Sequence, residues 1–215
     1  MEKIFNMKTV VCFGDSNTWG YTPQTGERYP YEDRWTGILQ EQLVGHIRVI
    51  EEGLNGRTTS FDEPFRSDRN GCKALPSILE THNPLDLLII ALGANDLQPL
   101  YNASGYDSAR GLGQLIELAK LNKISFGLQT QEVLIIGPTK FDQSSEIVQR
   151  LLPNTEEKFF SLLQEYEEIA KIHSCHYINS NEVIAVSNID GVHIDRESHK
   201  KLGLVIAEKI RNFLL

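Results

Sequence analysis

Residues 85–92 read LDLLIIAL, an octapeptide with a single charged side chain, Asp86. Apolar residues that follow one another without alternation suit a strand covered on both faces, as in a parallel sheet whose crossovers are helices. Working outward from it, Thr9–Phe13, Arg48–Glu51, Glu132–Ile136 and His176–Asn179 are further short runs predicted as strands. The segments between them carry the helical period. Arg34–Val44 places Trp35, Ile38, Leu39 and Leu43 on one face and stops at Gly45. Gly71–Thr81 carries Ala74, Leu75, Ile78 and Leu79, and Pro76 requires its helix to start late. Ser108–Leu121 shows Leu112, Leu115, Ile116 and Ala119, weakened by Gly111 and Gly113. Asn154 with Glu157 resembles a capping pair ahead of Phe159, Leu163 and Tyr166, and Asp195 is positioned to cap a last helix. Strictly alternating strands and helices imply right-handed βαβ units, hence an α/β protein with a five-stranded parallel sheet in a three-layer sandwich.

The chain of 215 residues has 21 Lys+Arg against 29 Asp+Glu, a formal net charge of −8. One domain over residues 1–215 is expected, large enough to hold a water-excluding site without staples. Nucleic acid and anionic membranes need clusters of Lys and Arg, and none stands out, so neither is an expected partner. Cys12, Cys72 and Cys175 are odd in number and form no C-x-x-C pattern, which suits free thiols in a reducing compartment. Met1–Val11 lacks the apolar run of a signal peptide, and no stretch approaches the ~20 apolar residues of a membrane span, so a cytoplasmic location is expected. Met7 offers an alternative start that makes residues 1–6 a dispensable extension.

In an open parallel sheet the ligand crevice lies outside the carboxyl ends of the strands. The residues there are Gly14-Asp15-Ser16-Asn17-Thr18, then Gly53-Leu54-Asn55-Gly56-Arg57-Thr58, then Gly93-Ala94-Asn95-Asp96, and finally Asp190-Gly191-Val192-His193. Each residue type fits one part of acyl transfer. The Ser16 hydroxyl needs a base, and His193 suits that role. Asp190, three residues before it, can accept from Nδ1 and leave Nε2 facing Ser16, with Asp195 the competing partner. Backbone N–H groups of Ser16 and Gly56 and the Asn95 amide can hold an oxyanion. Asp15 and Asp96 are expected to fix their loops through local hydrogen bonds.

The four blocks, G14-D15-S16, N55-G56-R57, G93-x-N95-D96 and D190-x-x-H193, resemble in order and spacing the SGNH (GDSL) hydrolase superfamily. That resemblance implies a flavodoxin-like α/β/α sandwich, Ser16, Asp190 and His193 as the catalytic residues, and Ser16, Gly56 and Asn95 as the oxyanion hole. The stretches FGDSNTWG, RWTGILQEQL, VIEEGLNGRTT and LDLLIIALGANDL are similar to its bacterial arylesterase/acyltransferase branch. Members of that branch hydrolyse short-chain esters, pass acyl groups to alcohols and assemble into oligomers. The resemblance therefore implies a small-molecule ester substrate and a homo-oligomer. Asn17 and Ala94 stand where that branch usually has Leu and Thr, and with Trp19 and Val192 they are the candidate substrate-binding residues.

Other readings remain open at this point. A carbohydrate acetyl esterase, a lysophospholipase or a thioesterase would use the same residues. An FMN-binding carrier would use Ser16 and Thr18 as a phosphate loop and leave Asn95, Asp190 and His193 without a role. His173 with His176, or His193 with His199, do not complete a metal set, so neither metal nor cofactor is expected. Trp19 either lines a pocket or packs a helix start. Residues 139–153, too long for an ordinary connection, read as a lid or subunit-contact segment, or as a surface loop.

Overall fold

The computed structural model describes residues 7–127 and 131–215; the proposed extension, residues 1–6, lies outside them. Five strands, β1 (Lys8–Gly14), β2 (Ile47–Gly53), β3 (Leu87–Ala91), β4 (Glu132–Gly137) and β5 (His176–Asn179), form one sheet in the order β2-β1-β3-β4-β5, with every pair parallel. The order reverses between β1 and β3, which opens a crevice at the carboxyl ends of those two strands. β3 is shorter than the run LDLLIIAL. At its start Asp86 keeps backbone bonds to Thr9 and Glu132 while its carboxylate binds Lys8 Nζ and the Thr9 N–H, and at its end Leu92 turns into the core.

Alternate β1, β3 and β4 side chains feed two apolar layers, as the pleat requires. Val11, Phe13, Leu88, Ile90 and Ile135 pack under α3 (Gly71–His82), α4 (Gly105–Ser125) and α6 (Glu156–His173). Val10, Cys12, Leu87, Ile89 and Leu134 pack under α2 (Trp35–Gln42) and α7 (Arg196–Phe213). The three-layer architecture read from the sequence is the one observed.

Element ends differ from expectation for local reasons. α3 starts at Gly71, not late, and holds Pro76 inside. The Asn70 side chain caps it through the Lys73 N–H, and buried Leu75 and Leu79 hold the turn that Pro76 weakens. α4 starts earlier than Ser108, on a capping box of Ser104 and Asp107. Its Gly111 is required by packing, because a Cβ there would collide with Thr59. Asn154 does not cap α6. It takes a left-handed conformation, φ 56°, and Thr155 becomes the cap residue. Asp195 caps α7 through the Ser198 N–H.

Residues 139–153 contain a short helix, α5 (Glu146–Leu151), and bury Phe141, Val148 and Leu152. Ser145 Oγ donates to the Asp190 carbonyl at 2.7 Å and the Asp142 N–H to the Gly191 carbonyl at 2.9 Å. This segment therefore supports the loop that carries His193.

Candidate active site

β1 delivers Ser16 to the crevice through a one-turn helix, α1 (Ser16–Trp19), capped by Asp15 and closed by left-handed Gly20. Ser16 is 8% exposed. Its Oγ lies 3.0 Å from His193 Nε2, and His193 Nδ1 lies 2.7 Å from Asp190 Oδ2. The second carboxylate oxygen, Oδ1, accepts the Val192 and His193 backbone N–H groups, each at 2.9 Å. Burial alone would raise the Asp190 carboxyl, but the His193 ring and these two N–H groups outweigh it and hold it below its ordinary value. An ionised Asp190 keeps the proton on Nδ1 and leaves Nε2 as the acceptor facing the hydroxyl. Asp195, engaged at the start of α7, is not the partner of His193.

The candidate oxyanion donors come from three strand ends. Among the described residues, neither the Ser16 nor the Gly56 backbone N–H has an acceptor. Gly56 is left-handed, φ 79°, a conformation that costs glycine least. Asn95 Nδ2 donates to the Arg57 carbonyl at 3.1 Å and lies 3.5 Å from Asp15 Oδ2, while Gln98 Nε2 donates to Asn95 Oδ1 at 3.1 Å. The amide is thus held from both ends. Arg57 is buried, donates to the Gly14 and Glu52 carbonyls and lies over the Phe13 ring. Burial pulls its guanidinium down to about 10, against the pull of Glu52 and Asp15.

Two buried carboxylates brace the crevice. Asp15 acts locally, as expected, accepting the Asn17 N–H at 2.9 Å. Asp96 does not; it reaches across the fold to the Thr59 N–H, the Thr59 hydroxyl and the Ser108 hydroxyl at 2.9, 2.6 and 2.5 Å. Burial pushes both up to about 6, against these hydrogen bonds.

The candidate substrate-binding residues divide. The Asn17 side chain accepts the Ile194 N–H at 3.1 Å, tying the serine turn to the histidine loop. Asn17 and Ala94 also line a cavity of about 40 Å³ with Thr18, Pro138, Thr139 and Ser180. Trp19 is half-buried, with the Arg28 guanidinium 5.2 Å above its ring. Val192 packs against the core on the α4 side of the sheet. The sequence reading missed Tyr21, whose ring stacks on His193 at 4.0 Å and 23°. A signal existed: α1 is a single turn closed by Gly20, so the chain doubles back and the Tyr21 N–H returns to the Ser16 carbonyl.

His199, paired with His193 only in the metal reading, is buried and accepts the Trp35 N–H at Nδ1. Burial pushes it down to about 3. Among the described residues no three His, Cys, Asp or Glu groups come together to hold a metal ion, and no helix is long and apolar enough to cross a membrane.

Residues 12–199 match the GDSL-like Lipase/Acylhydrolase family. Among solved structures, a carbohydrate acetylesterase from Sinorhizobium meliloti is 34% identical, with a TM-score of 0.91 over 96% of this chain and 100% of that one. The aryl esterase of M. smegmatis is also 34% identical, with a TM-score of 0.90 over 96% and 100%. A member of the lipolytic G-D-S-L family from Veillonella parvula, 17% identical at TM-score 0.69 over 96% and 98%, shares the fold. No curated protein matches the sequence.

Proposed function

The chain belongs to the GDSL-like lipase/acylhydrolase family, and from that premise we propose that it is a serine esterase acting on small carboxylic esters through an acyl-enzyme. One observation carries the reading. Asp190, His193 and Ser16 form an unbroken line of 2.7 and 3.0 Å beside two backbone N–H groups with no acceptor among the described residues.

Ser16 Oγ attacks the ester carbonyl as His193 Nε2 takes its proton, and the ionised Asp190 steadies the imidazolium that forms. The Ser16 and Gly56 N–H groups and the Asn95 amide receive the oxyanion. As the tetrahedral intermediate collapses, the leaving alkoxide takes the proton back from Nε2 and departs as an alcohol. Water, deprotonated by the same nitrogen, then releases the acid. An alcohol in place of water gives a new ester, so acyl transfer needs no further group.

Ser16→Ala removes one hydroxyl and is expected to abolish turnover of p-nitrophenyl acetate and butyrate while the fold persists. Undiminished turnover would refute the assignment. Ester exchange measured beside hydrolysis in one aqueous assay reports the acceptor, and size-exclusion mass tests the implied self-association. A second reading, deacetylation of acetylated carbohydrates, is favoured by the likeness to the Sinorhizobium meliloti enzyme. Acetyl-xylan hydrolysis set against the p-nitrophenyl esters separates the two.

A further inference from the structure

Arg66, which touches Gly56, also lines a cleft of about 600 Å³ together with Asp62, Glu63, Arg69 and Lys73. The acidic groups of the cleft are largely engaged. The Glu63 side chain is 8% exposed, and its Oε2 takes both Nε and Nη2 of Arg66 at 2.5 Å. Asp62 takes Asn70 Nδ2 at 3.1 Å and Lys73 Nζ at 2.7 Å. The exposed Asp68 is the one carboxylate of the cleft with no partner among the described residues. In formal charge the lining balances, Arg66, Arg69 and Lys73 against Asp62, Glu63 and Asp68, yet among the described residues guanidinium donors remain free. Arg66 Nη1 has no acceptor among the described residues, and Arg69 donates from Nη1 to the Ser67 carbonyl while its Nε is buried without a partner.

Arg66 also touches the proposed chemistry. Its guanidinium rests on Gly56, where an added Cβ would collide first with the Glu63-bound Nη2 and sit 3.0 Å from both Cζ and Nη1. A nearly buried carboxylate fixes one edge of the fork, so the other edge is held in place before anything binds, next to the residue whose N–H faces the oxyanion. The protein as a whole carries a charge of −8 and repels anions at long range, so an anionic substrate needs a local counter-charge.

We propose that Arg66, pinned by Glu63 against Gly56, is a specificity-determining residue whose free edge binds a carboxylate carried by the ester, so that anionic esters are preferred substrates. The proposal rests on the esterase reading above. Its test compares matched pairs of esters. 4-Acetoxybenzoate and its neutral methyl ester place the charge on the leaving alcohol, and p-nitrophenyl hemisuccinate and p-nitrophenyl acetate place it on the acyl group. Arg66→Gln is expected to lower kcat/KM about tenfold for the charged member of one pair, mainly through KM, and to leave the neutral members within about twofold. Arg66→Lys, which keeps the charge without the fork, should fall between. Glu63→Gln, which frees the guanidinium to wander, should weaken the same charged ester. The pair that responds tells which side of the ester the carboxylate occupies. Equal losses for charged and neutral esters, or none, in active Arg66→Gln overturn the subsite and leave the esterase reading standing. Failure of the wild-type protein to hydrolyse any of the four esters overturns the esterase reading itself.

Discussion

The His193 loop and the Asn95 turn each bring one functional side chain to the crevice, and each is organised by a buried aspartate, yet the two aspartates behave in opposite ways. Asp190 faces a group that becomes positive, and its hydrogen bonds hold its carboxyl below the ordinary value. Asp96 faces only neutral donors, from Thr59 and Ser108, and burial pushes it up to about 6. The first is built to be charged when the imidazolium forms. The second is a brace whose charge is a burden. A carboxylate beside the chemistry and a carboxylate beneath it thus look alike in sequence and differ in the partner they meet.

Asp190→Asn breaks the first side of the comparison. The amide can still accept backbone N–H groups, but it offers a donor towards Nδ1 and favours the wrong imidazole tautomer. The expected loss in kcat is about 10⁴-fold, measured on p-nitrophenyl acetate with the thermal midpoint as a control for folding. A loss below about tenfold would mean that Asp190 does not orient the base. Asn95→Ala tests the other side. It removes one of the three proposed oxyanion donors and should cost on the order of 10² to 10³ in kcat with KM little changed. A KM effect alone would place Asn95 in substrate binding.

Tyr21 extends the histidine side. A flat ring at 4.0 Å limits how far the imidazole can swing and presents a π face to the imidazolium of the transition state. Tyr21→Leu should lower kcat about three- to tenfold, and Tyr21→Phe should retain nearly all of it. Equal losses in the two variants would assign the effect to the hydroxyl instead.

How much of this was legible follows from the range of the interactions. The strands, the layers and the four blocks are local in sequence, and the strand-end rule alone brings Ser16 and His193 to one edge. Asp15 was readable because its hydrogen bond to the Asn17 N–H spans two residues. Asp96 was not, since its partners, Thr59 and Ser108, lie 37 and 12 positions away on other elements, and no periodicity carries such a contact. Asn154 does not cap because its backbone is left-handed, φ 56°, and Thr155, the residue before α6, makes no side-chain cap bond either; a backbone angle of this kind is not written in residue type. The packing of residues 142 and 145 under the histidine loop likewise depends on a tertiary contact that composition does not encode.

The smallest expected effect separates the two aspartates most cleanly, because they link stability to pH with opposite sign. Asp190 binds its proton more weakly in the folded protein, so its contribution stands above the ordinary carboxylate range and is lost as pH falls through it. Asp96, raised from 3.8 to about 6, binds its proton more tightly when folded. Between those values the native state holds more protons than the unfolded chain, so stability falls as pH rises through the window. Asp15, also raised to about 6, adds to that slope. In Asp96→Asn the oxygen keeps the Thr59 N–H, and the new NH₂ group donates to the Thr59 and Ser108 hydroxyls, which turn to accept. The Ser108 hydroxyl can then donate to Tyr166 Oη while the Thr59 hydroxyl loses its acceptor, a smaller cost than the buried charge that is removed. Stability at pH 7.5 should therefore rise by about 1 kcal/mol, or 2–4 °C in thermal midpoint, and the gain should vanish near pH 4. The remaining slope between pH 4 and 6 then sums Asp15 with buried His199, whose value, lowered to about 3, contributes with the opposite sign. A midpoint lowered at pH 7.5 would show that the charge on Asp96 holds the turn, and the contrast between brace and partner would fail.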